Sequence, residues 1–123
     1  MAFDWREYLS LATALRGQSG EGYSVEACDR TAVSRAYYSA FRTALNYAQT
    51  EQGFIPKRDA SDHARVARHF RQMGGRWAVV ADALEDLRHW RNQCDYDDQV
   101  PGLELLVATA LQYAQQRVLA ECE

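Results

Sequence analysis

The chain contains 123 residues, of which 47% are hydrophobic and 25% are charged. This length allows one domain with one core, and the composition is that of a globular protein, which excludes a disordered segment. The formal net charge of −3 excludes a protein that coats nucleic acid through bulk positive charge. Its basic residues are thirteen arginines and Lys57. Arginine is favoured for bidentate contact with carboxylate or phosphate, although genome composition produces the same bias.

The spacing of the cysteines and the hydropathy of the chain indicate the cellular compartment of the protein. Cys28, Cys94 and Cys122 form no CxxC pair, which predicts a reduced chain without a structural zinc site. No stretch approaches the roughly 18 consecutive apolar residues of a transmembrane helix, and the N-terminus has no apolar run of the secretory type. We therefore expect a cytoplasmic protein that has no metal or other cofactor and does not bind membranes.

Helical spacing of apolar residues runs through almost the whole chain. The first predicted helix is Phe3–Arg16, and it ends at the glycine-rich segment GQSGEGYS. Its predicted inner side consists of Phe3, Tyr8, Leu11, Ala12 and Leu15.

The second predicted helix is the longest, Val25–Glu51, with Ser24 as its N-cap. Glu26 and Asp29 place negative charge in the opening turns, where the helix dipole favours it. Apolar residues recur along it with the spacing of a buried stripe, namely Val33, Tyr37, Phe41, Leu45 and Ala48.

Three further helices follow, and their predicted bounds are Ser61–Met73, Trp77–Cys94 and Leu103–Glu121. Ser61 or Asp62 is the predicted cap of the third, and Gly74-Gly75 ends it. Because the connections are short, we expect an all-α protein, an antiparallel bundle of four to five helices that forms one domain over residues 1–123.

Charge is distributed unevenly along the chain. Residues 57–91 carry eight basic and five acidic residues, a net charge of +3, whereas residues 92–123 carry Arg117 against six acids, a net charge of −5. Arg65, Arg68 and Arg71 follow one another at three-residue steps on the third helix. This ladder is interpreted either as a solvated face that pairs with the acidic C-terminal segment or as a phosphate-binding surface.

One arginine continues an apolar stripe. Arg91 follows Trp77 and Leu84 at heptad spacing on the fourth helix, and burial of its charge requires a partner, for which Asp95 at i+4 is available. The second helix carries a polar strip beside its buried stripe. If these two helices pack together, one groove for an anionic ligand, such as an RNA backbone, would contain Arg35, Tyr38, Arg42, Arg91 and Tyr96.

Three segments carry a family resemblance, and they are SRAYYSAFRTALNYA (34–48), DHARVARHF (62–70) and LEDLRHWRNQCDYD (84–97). In this order, over about residues 24–97, they resemble the HEPN superfamily. These are small helical-bundle proteins best known from prokaryotic toxin–antitoxin and defence systems. The resemblance is to stand-alone members with an SRAYYAAF helix and a later helix that ends in RxxADYD.

The resemblance implies a homodimer or higher oligomer and, in active members, a metal-independent endoribonuclease with an R-x4-6-H motif. Arg91 matches the motif arginine and Asn92 the polar residue that often follows it. Tyr96, Asp97 and Asp98 stand where the histidine is expected. The candidate catalytic residues are therefore Arg91 and Tyr96, and the candidate RNA or phosphate contacts are Arg35, Tyr38, Arg42, Asn92 and Asp95.

Two functions follow from this resemblance and stay open. The first is a protein of a toxin–antitoxin, defence or stress module that binds RNA. It also cleaves RNA if another residue takes the role of the missing histidine. The alternative is a catalytically inactive HEPN scaffold that binds a nucleotide or a protein partner, such as a cognate antitoxin or a nucleotidyltransferase-like protein.

A second match to the R-x4-H pattern is Arg58 with His63. Both residues lie in the polar link into the third helix, and we interpret this match as chance. His63 and His69 are six residues apart and thus on different sides of a helix, which argues against a shared metal. We expect His63, His69 and His89 to be surface or packing residues.

Overall fold

Helices form all the regular secondary structure in the computed structural model, which describes residues 2–123. Their bounds are α1 Glu7–Leu15, α2 Val25–Glu51, α3 Asp62–Met73, α4 Arg76–Tyr96 and α5 Leu103–Tyr113, the last continuing as a π-helical segment, Ala114–Leu119. No strand occurs in residues 2–123. The prediction of an all-α protein with five packed helices is confirmed.

Helix α2 lies at the centre of the bundle and packs against each of the other four helices. It has the predicted bounds, and the Ser24 hydroxyl accepts a hydrogen bond from the Ala27 N–H at 3.1 Å, as an N-cap does. An alanine recurs every four residues and is fully buried each time, at Ala32, Ala36, Ala40, Ala44 and Ala48. These small side chains allow neighbouring helices to approach closely, while the larger residues of the predicted stripe fill the core.

The predicted inner side of α1 is partly wrong. The helix starts at Glu7, and residues 2–6 lie outside it, where the Asp4 carboxylate accepts a hydrogen bond from the Arg6 N–H at 3.0 Å. Phe3 and Leu11 are each 46% exposed, whereas Leu9 is buried. The exposure of Phe3 follows from the non-helical start, because residues before Glu7 do not share the helical period of Tyr8, Ala12 and Leu15.

The ends of the later helices also differ from the prediction. Ser61 does not cap α3, because its hydroxyl is bonded to the Asp59 carboxylate. Helix α4 runs two residues beyond Cys94, so that Asp95 and Tyr96 are helical. The predicted last helix keeps its start, but its hydrogen bonding changes to the π pattern after Tyr113.

Arg30 of α2 holds the C-terminal end of α4. Its guanidinium donates to the carbonyl oxygens of Cys94 at 3.1 Å, Asp97 at 2.5 Å and Asp98 at 3.0 Å. The last carbonyls of a helix have no partner within the helix, so these bonds replace solvent there. The contact holds the C-terminal end of α4, which carries the predicted motif residues Arg91 and Tyr96.

Cysteines, metal ligands and membrane spans complete the description of residues 2–123. All three cysteines are buried free thiols. No group of three or more histidine, cysteine, aspartate or glutamate side chains in these residues is arranged to hold a metal ion. No helix in this part of the chain has the length and apolar character needed to cross a membrane.

Candidate functional site

Arg91 joins α4 to α2 through a hydrogen bond. Its Nη2 donates to the Tyr38 hydroxyl at 2.8 Å, and its Nη1 donates to the Asn92 side-chain oxygen at 2.9 Å. Its Nε lies 2.9 Å from Asp95 Oδ2, an ion pair whose N–H does not point along a hydrogen bond. The half-buried Arg91 thus has the partner that burial of its charge requires.

Arg35 and Tyr96 lie beside this contact. The Arg35 guanidinium carbon is 5.0 Å from the centre of the Tyr38 ring and that of Arg91 is 5.1 Å from it, so one phenol ring contacts two cations. The Tyr96 ring centre is 5.7 Å from the Arg91 guanidinium carbon, and Tyr96 is 72% exposed. Six of the seven predicted site residues therefore form one cluster, Arg35, Tyr38, Arg91, Asn92, Asp95 and Tyr96.

Arg42, the seventh predicted residue, has different neighbours. Its guanidinium carbon lies 4.8 Å from the Trp5 ring centre, and its buried Nε has no hydrogen-bond partner in residues 2–123. Arg42 and Tyr38 line the same cavity. Tyr38 is therefore the residue that connects Arg42 to the Arg91 cluster.

His63 was placed by sequence in a polar link, but it is the second residue of α3 and packs on α2. Its ring stacks on Phe41 with centroids 4.2 Å apart and planes 14° apart, and its Nδ1 is hydrogen-bonded to the Tyr37 hydroxyl. The predicted place of His63 in the polar link is therefore wrong, whereas the expectation that it is a surface or packing residue agrees with these contacts. The signal that finds it is spacing, since His63 precedes the buried Val66 and Phe70 by three and seven residues and shares their helix face.

The environment of His63 favours its neutral form. Burial lowers the pKa of its imidazole below the usual 6.5, and the nearby charges of Arg88 and Arg91 lower it further. Burial also raises the pKa of its partner Tyr37, so that the phenol keeps its proton at neutral pH. His63 is thus a neutral imidazole that can accept a proton.

His63 lies in the wall of two cavities, and arginines line both. The first, about 410 Å³, is also lined by Arg42 and Arg58. The second, about 420 Å³, is also lined by Arg68, Arg88 and the ion pair of Arg71 with Glu85. Arg42, Arg58, Arg68 and Arg88 form no ion pair with an acidic residue in the described part of the chain.

The arginine ladder of α3 does not act as one surface. Arg65 pairs with Asp62 at 2.7 Å, and Arg71 pairs with two acids of α4, Asp82 at 2.9 Å and Glu85 at 3.0 Å. The acids come from α3 and α4 and not from the acidic C-terminal segment. Arg68 is the member of the ladder that is left without an ion pair among residues 2–123.

His69, the other histidine of α3, contacts residues that connect α2 to α3. Its Nε2 is hydrogen-bonded to the Gln52 side-chain oxygen at 2.9 Å, and its ring lies 5.2 Å from that of Phe54. It lines neither of the two cavities that share His63. His69 therefore packs the α2–α3 connection, as expected.

Comparisons of this chain with protein-family models, with curated proteins and with solved structures give no match. Its function is therefore inferred from its own residues and their geometry.

We expect Arg30→Lys to lower the free energy of unfolding by about 1–3 kcal/mol, because an ammonium group cannot span the three carbonyls that the guanidinium caps. Urea denaturation measures the loss. Arg16→Lys is the control, since Arg16 is exposed and its side chain forms no hydrogen bond or ion pair within residues 2–123. Equal stability of both variants would show that the cap contributes nothing.

Proposed function

We propose that this protein is a HEPN-type protein that binds single-stranded RNA and works as a homodimer in a prokaryotic toxin–antitoxin, defence or stress module. The resemblance over about residues 24–97 and the five-helix bundle support the family. The observation that carries RNA binding is the set of four arginines without ion pairs in the two cavities that share His63. We call this set the His63 arginine surface, and it consists of Arg42, Arg58, Arg68 and Arg88.

Pairing decides which arginines are available to a phosphate. The charge of Arg91 is balanced by Asp95, and that of Arg71 by Asp82 and Glu85. Although Asp59 also lines the first cavity, no member of the His63 arginine surface forms an ion pair in residues 2–123, so its guanidinium groups keep donors for phosphate oxygens. A local surface of this kind binds an RNA backbone even though the chain as a whole carries −3.

The test is the salt dependence of RNA binding. We expect the double variant Arg68→Gln/Arg88→Gln to bind a short single-stranded RNA more weakly and to reduce the slope of log K against log salt by about 1.4, or about 0.7 per lost phosphate contact. Fluorescence anisotropy at several salt concentrations measures both. Arg16→Gln/Arg117→Gln removes the same two charges at exposed positions outside the two cavities and serves as the control. Absence of RNA binding by the wild type would overturn the proposal.

RNA cleavage is a second candidate, favoured by the neutral imidazole of His63 in the wall of both cavities. In this reaction the 2′-hydroxyl oxygen attacks the adjacent phosphorus and its proton passes to His63 Nε2. The P–O5′ bond breaks, the leaving oxygen takes a proton from water, and the products are a 2′,3′-cyclic phosphate and a 5′-hydroxyl. His63 must then keep its Nδ1 proton, which it donates to the Tyr37 oxygen.

A further inference from the structure

The first of the two cavities lies between the N-terminal segment, α2 and the loop that leads into α3. Its volume is about 410 Å³, within the range of roughly 300–1,000 Å³ that is typical of small-molecule sites. We call it the Trp5 cavity, and it is lined by Trp5, Tyr38, Phe41, Arg42, Leu45, Gln49, Pro56, Arg58, Asp59, Ala60, Asp62 and His63.

The lining of the Trp5 cavity combines aromatic and aliphatic surface with both donors and acceptors. Phe41, Leu45 and Pro56 provide apolar surface. Arg42 provides donors, and Asp59 provides an acceptor. A site for a bare phosphate would be cationic throughout, whereas a nucleobase has a flat apolar face and an edge with both donors and acceptors. The chemistry of the cavity therefore favours a base over a phosphate.

The guanidinium of Arg42, which lines this cavity, lacks a hydrogen-bond acceptor. Its guanidinium is held against the Trp5 ring, and its buried Nε has no hydrogen-bond partner in residues 2–123. Because this Nε is closed to solvent, the groups of Arg42 that a ligand in the cavity can contact are its terminal N–H groups, which form no hydrogen bond or ion pair within residues 2–123 either and favour a ligand that supplies an acceptor. A base carbonyl or ring nitrogen is such an acceptor.

The loop at the rim is fixed before any ligand binds. The buried Asp62 carboxylate accepts hydrogen bonds from the N–H groups of Lys57 at 2.9 Å and Arg58 at 2.8 Å. These bonds hold Arg58 in a left-handed backbone conformation, with φ of 64°. Because the rim is preorganised, little conformational entropy is lost when a ligand enters.

We propose that the Trp5 cavity receives one unpaired base of the bound RNA, while the adjoining phosphates lie on Arg58 and, across His63, on Arg68 and Arg88. This inference rests on the proposed RNA binding and specifies its substrate as a strand with an extrudable nucleotide. A free mononucleotide presents the same base, so the experiment separates the two sources.

The test compares a single-stranded RNA of mixed sequence with the same strand lacking its bases. We expect the wild type to bind the complete strand about 10-fold more tightly, because one stacked base contributes that much. Gln49→Trp narrows the mouth of the cavity and Trp5→Leu removes an aromatic wall, so each should abolish the preference without weakening binding of the baseless strand. Thr50→Trp is the control, since this exposed neighbour lines a different cavity, and it should keep the preference.

Equal wild-type affinity for both strands would overturn the base site and leave RNA binding intact, whereas binding of neither strand would overturn the proposed function itself. Retention of the preference in both Gln49→Trp and Trp5→Leu would also overturn the site. Titration with AMP, CMP, GMP and UMP forms the second arm. Weak competition by these mononucleotides supports RNA as the source, and competition at the affinity of the strand itself would overturn it in favour of a free nucleotide.

Discussion

His63→Gln is expected to slow RNA cleavage by about 10²–10⁴-fold, a loss far larger than any change in RNA affinity. Glutamine keeps a hydrogen-bonding side chain beside Tyr37 but cannot take up the proton of the 2′-hydroxyl, and general-base catalysis typically contributes a factor of this size. Gel analysis of a labelled RNA gives the rate, and anisotropy gives the affinity. His69→Gln is the matched control on the same helix, because His69 contacts Gln52 outside the two cavities.

The pH dependence provides a separate readout of the same imidazole. Because burial and the charges of Arg88 and Arg91 lower the pKa of His63 below 6.5, cleavage should rise with pH through that lowered value and level off above it. The folded state also holds the proton of His63 less tightly than the unfolded chain. The contribution of His63 to stability is therefore complete above pH 6.5 and declines as the pH falls below it.

Two results would contradict the catalytic role of His63. Cleavage by His63→Gln at the wild-type rate would show that His63 is not the general base. A wild type that binds RNA and leaves it uncut would exclude cleavage and favour the alternative of a non-cleaving HEPN protein. Arg91→Ala separates the two possible centres, because loss of cleavage in that variant with retention in His63→Gln would place the chemistry at the C-terminal end of α4.

Asp62→Ala is expected to lower the free energy of unfolding by about 3 kcal/mol, the largest stability effect that we predict for one side chain. The carboxylate is buried and receives the N–H groups of Lys57 and Arg58 together with Arg65 Nη1 at 2.7 Å. Alanine leaves two backbone donors without a partner and releases the strained conformation of Arg58. Urea denaturation measures the change. Asp86→Ala, at an exposed position of α4, should be nearly neutral.

The dependence of folding stability on acidic pH should also change in Asp62→Ala. Burial alone would raise the pKa of Asp62, but the hydrogen bonds from Lys57, Arg58 and Arg65 outweigh it and hold the pKa below the usual 3.8. The carboxylate therefore stabilises the fold above pH 3.8, and this stabilisation is lost as the pH falls through the lowered value. We expect a shallower loss of stability below pH 4 in Asp62→Ala than in the wild type. Parallel acid profiles would show that the ionised carboxylate contributes nothing.

Much of α2 and α4 could be predicted from the sequence, because both depend on local spacing. The period of Val33, Tyr37 and Phe41 placed the core face of α2, and Ser24 marked its start. Arg91 on an apolar stripe indicated an acidic partner, Asp95 at i+4, and the ion pair between them forms as predicted. Helical geometry relates such residues directly to one face.

The ends of elements were less predictable, since they depend on groups distant in the chain. Helix α4 continues to Tyr96 where Arg30 reaches its last carbonyls from α2. Helix α1 starts later than its apolar pattern suggested because residues 2–6 take a separate conformation. No local sequence pattern marks either the end of α4 or the start of α1.

The sequence by itself determined an arginine-rich, acidic chain that folds into helices, with Arg91 on the apolar stripe of α4. Only the tertiary structure decided which arginines are available and which histidine lies among them. Arg65 and Arg71 are paired by Asp62, Asp82 and Glu85, whereas Arg68 is not. The availability of a charge depends on which opposite charges other helices bring within a few ångströms. That distance is set by packing, and for this reason the position of His63 in the wall of both cavities could not be read from the order of the residues.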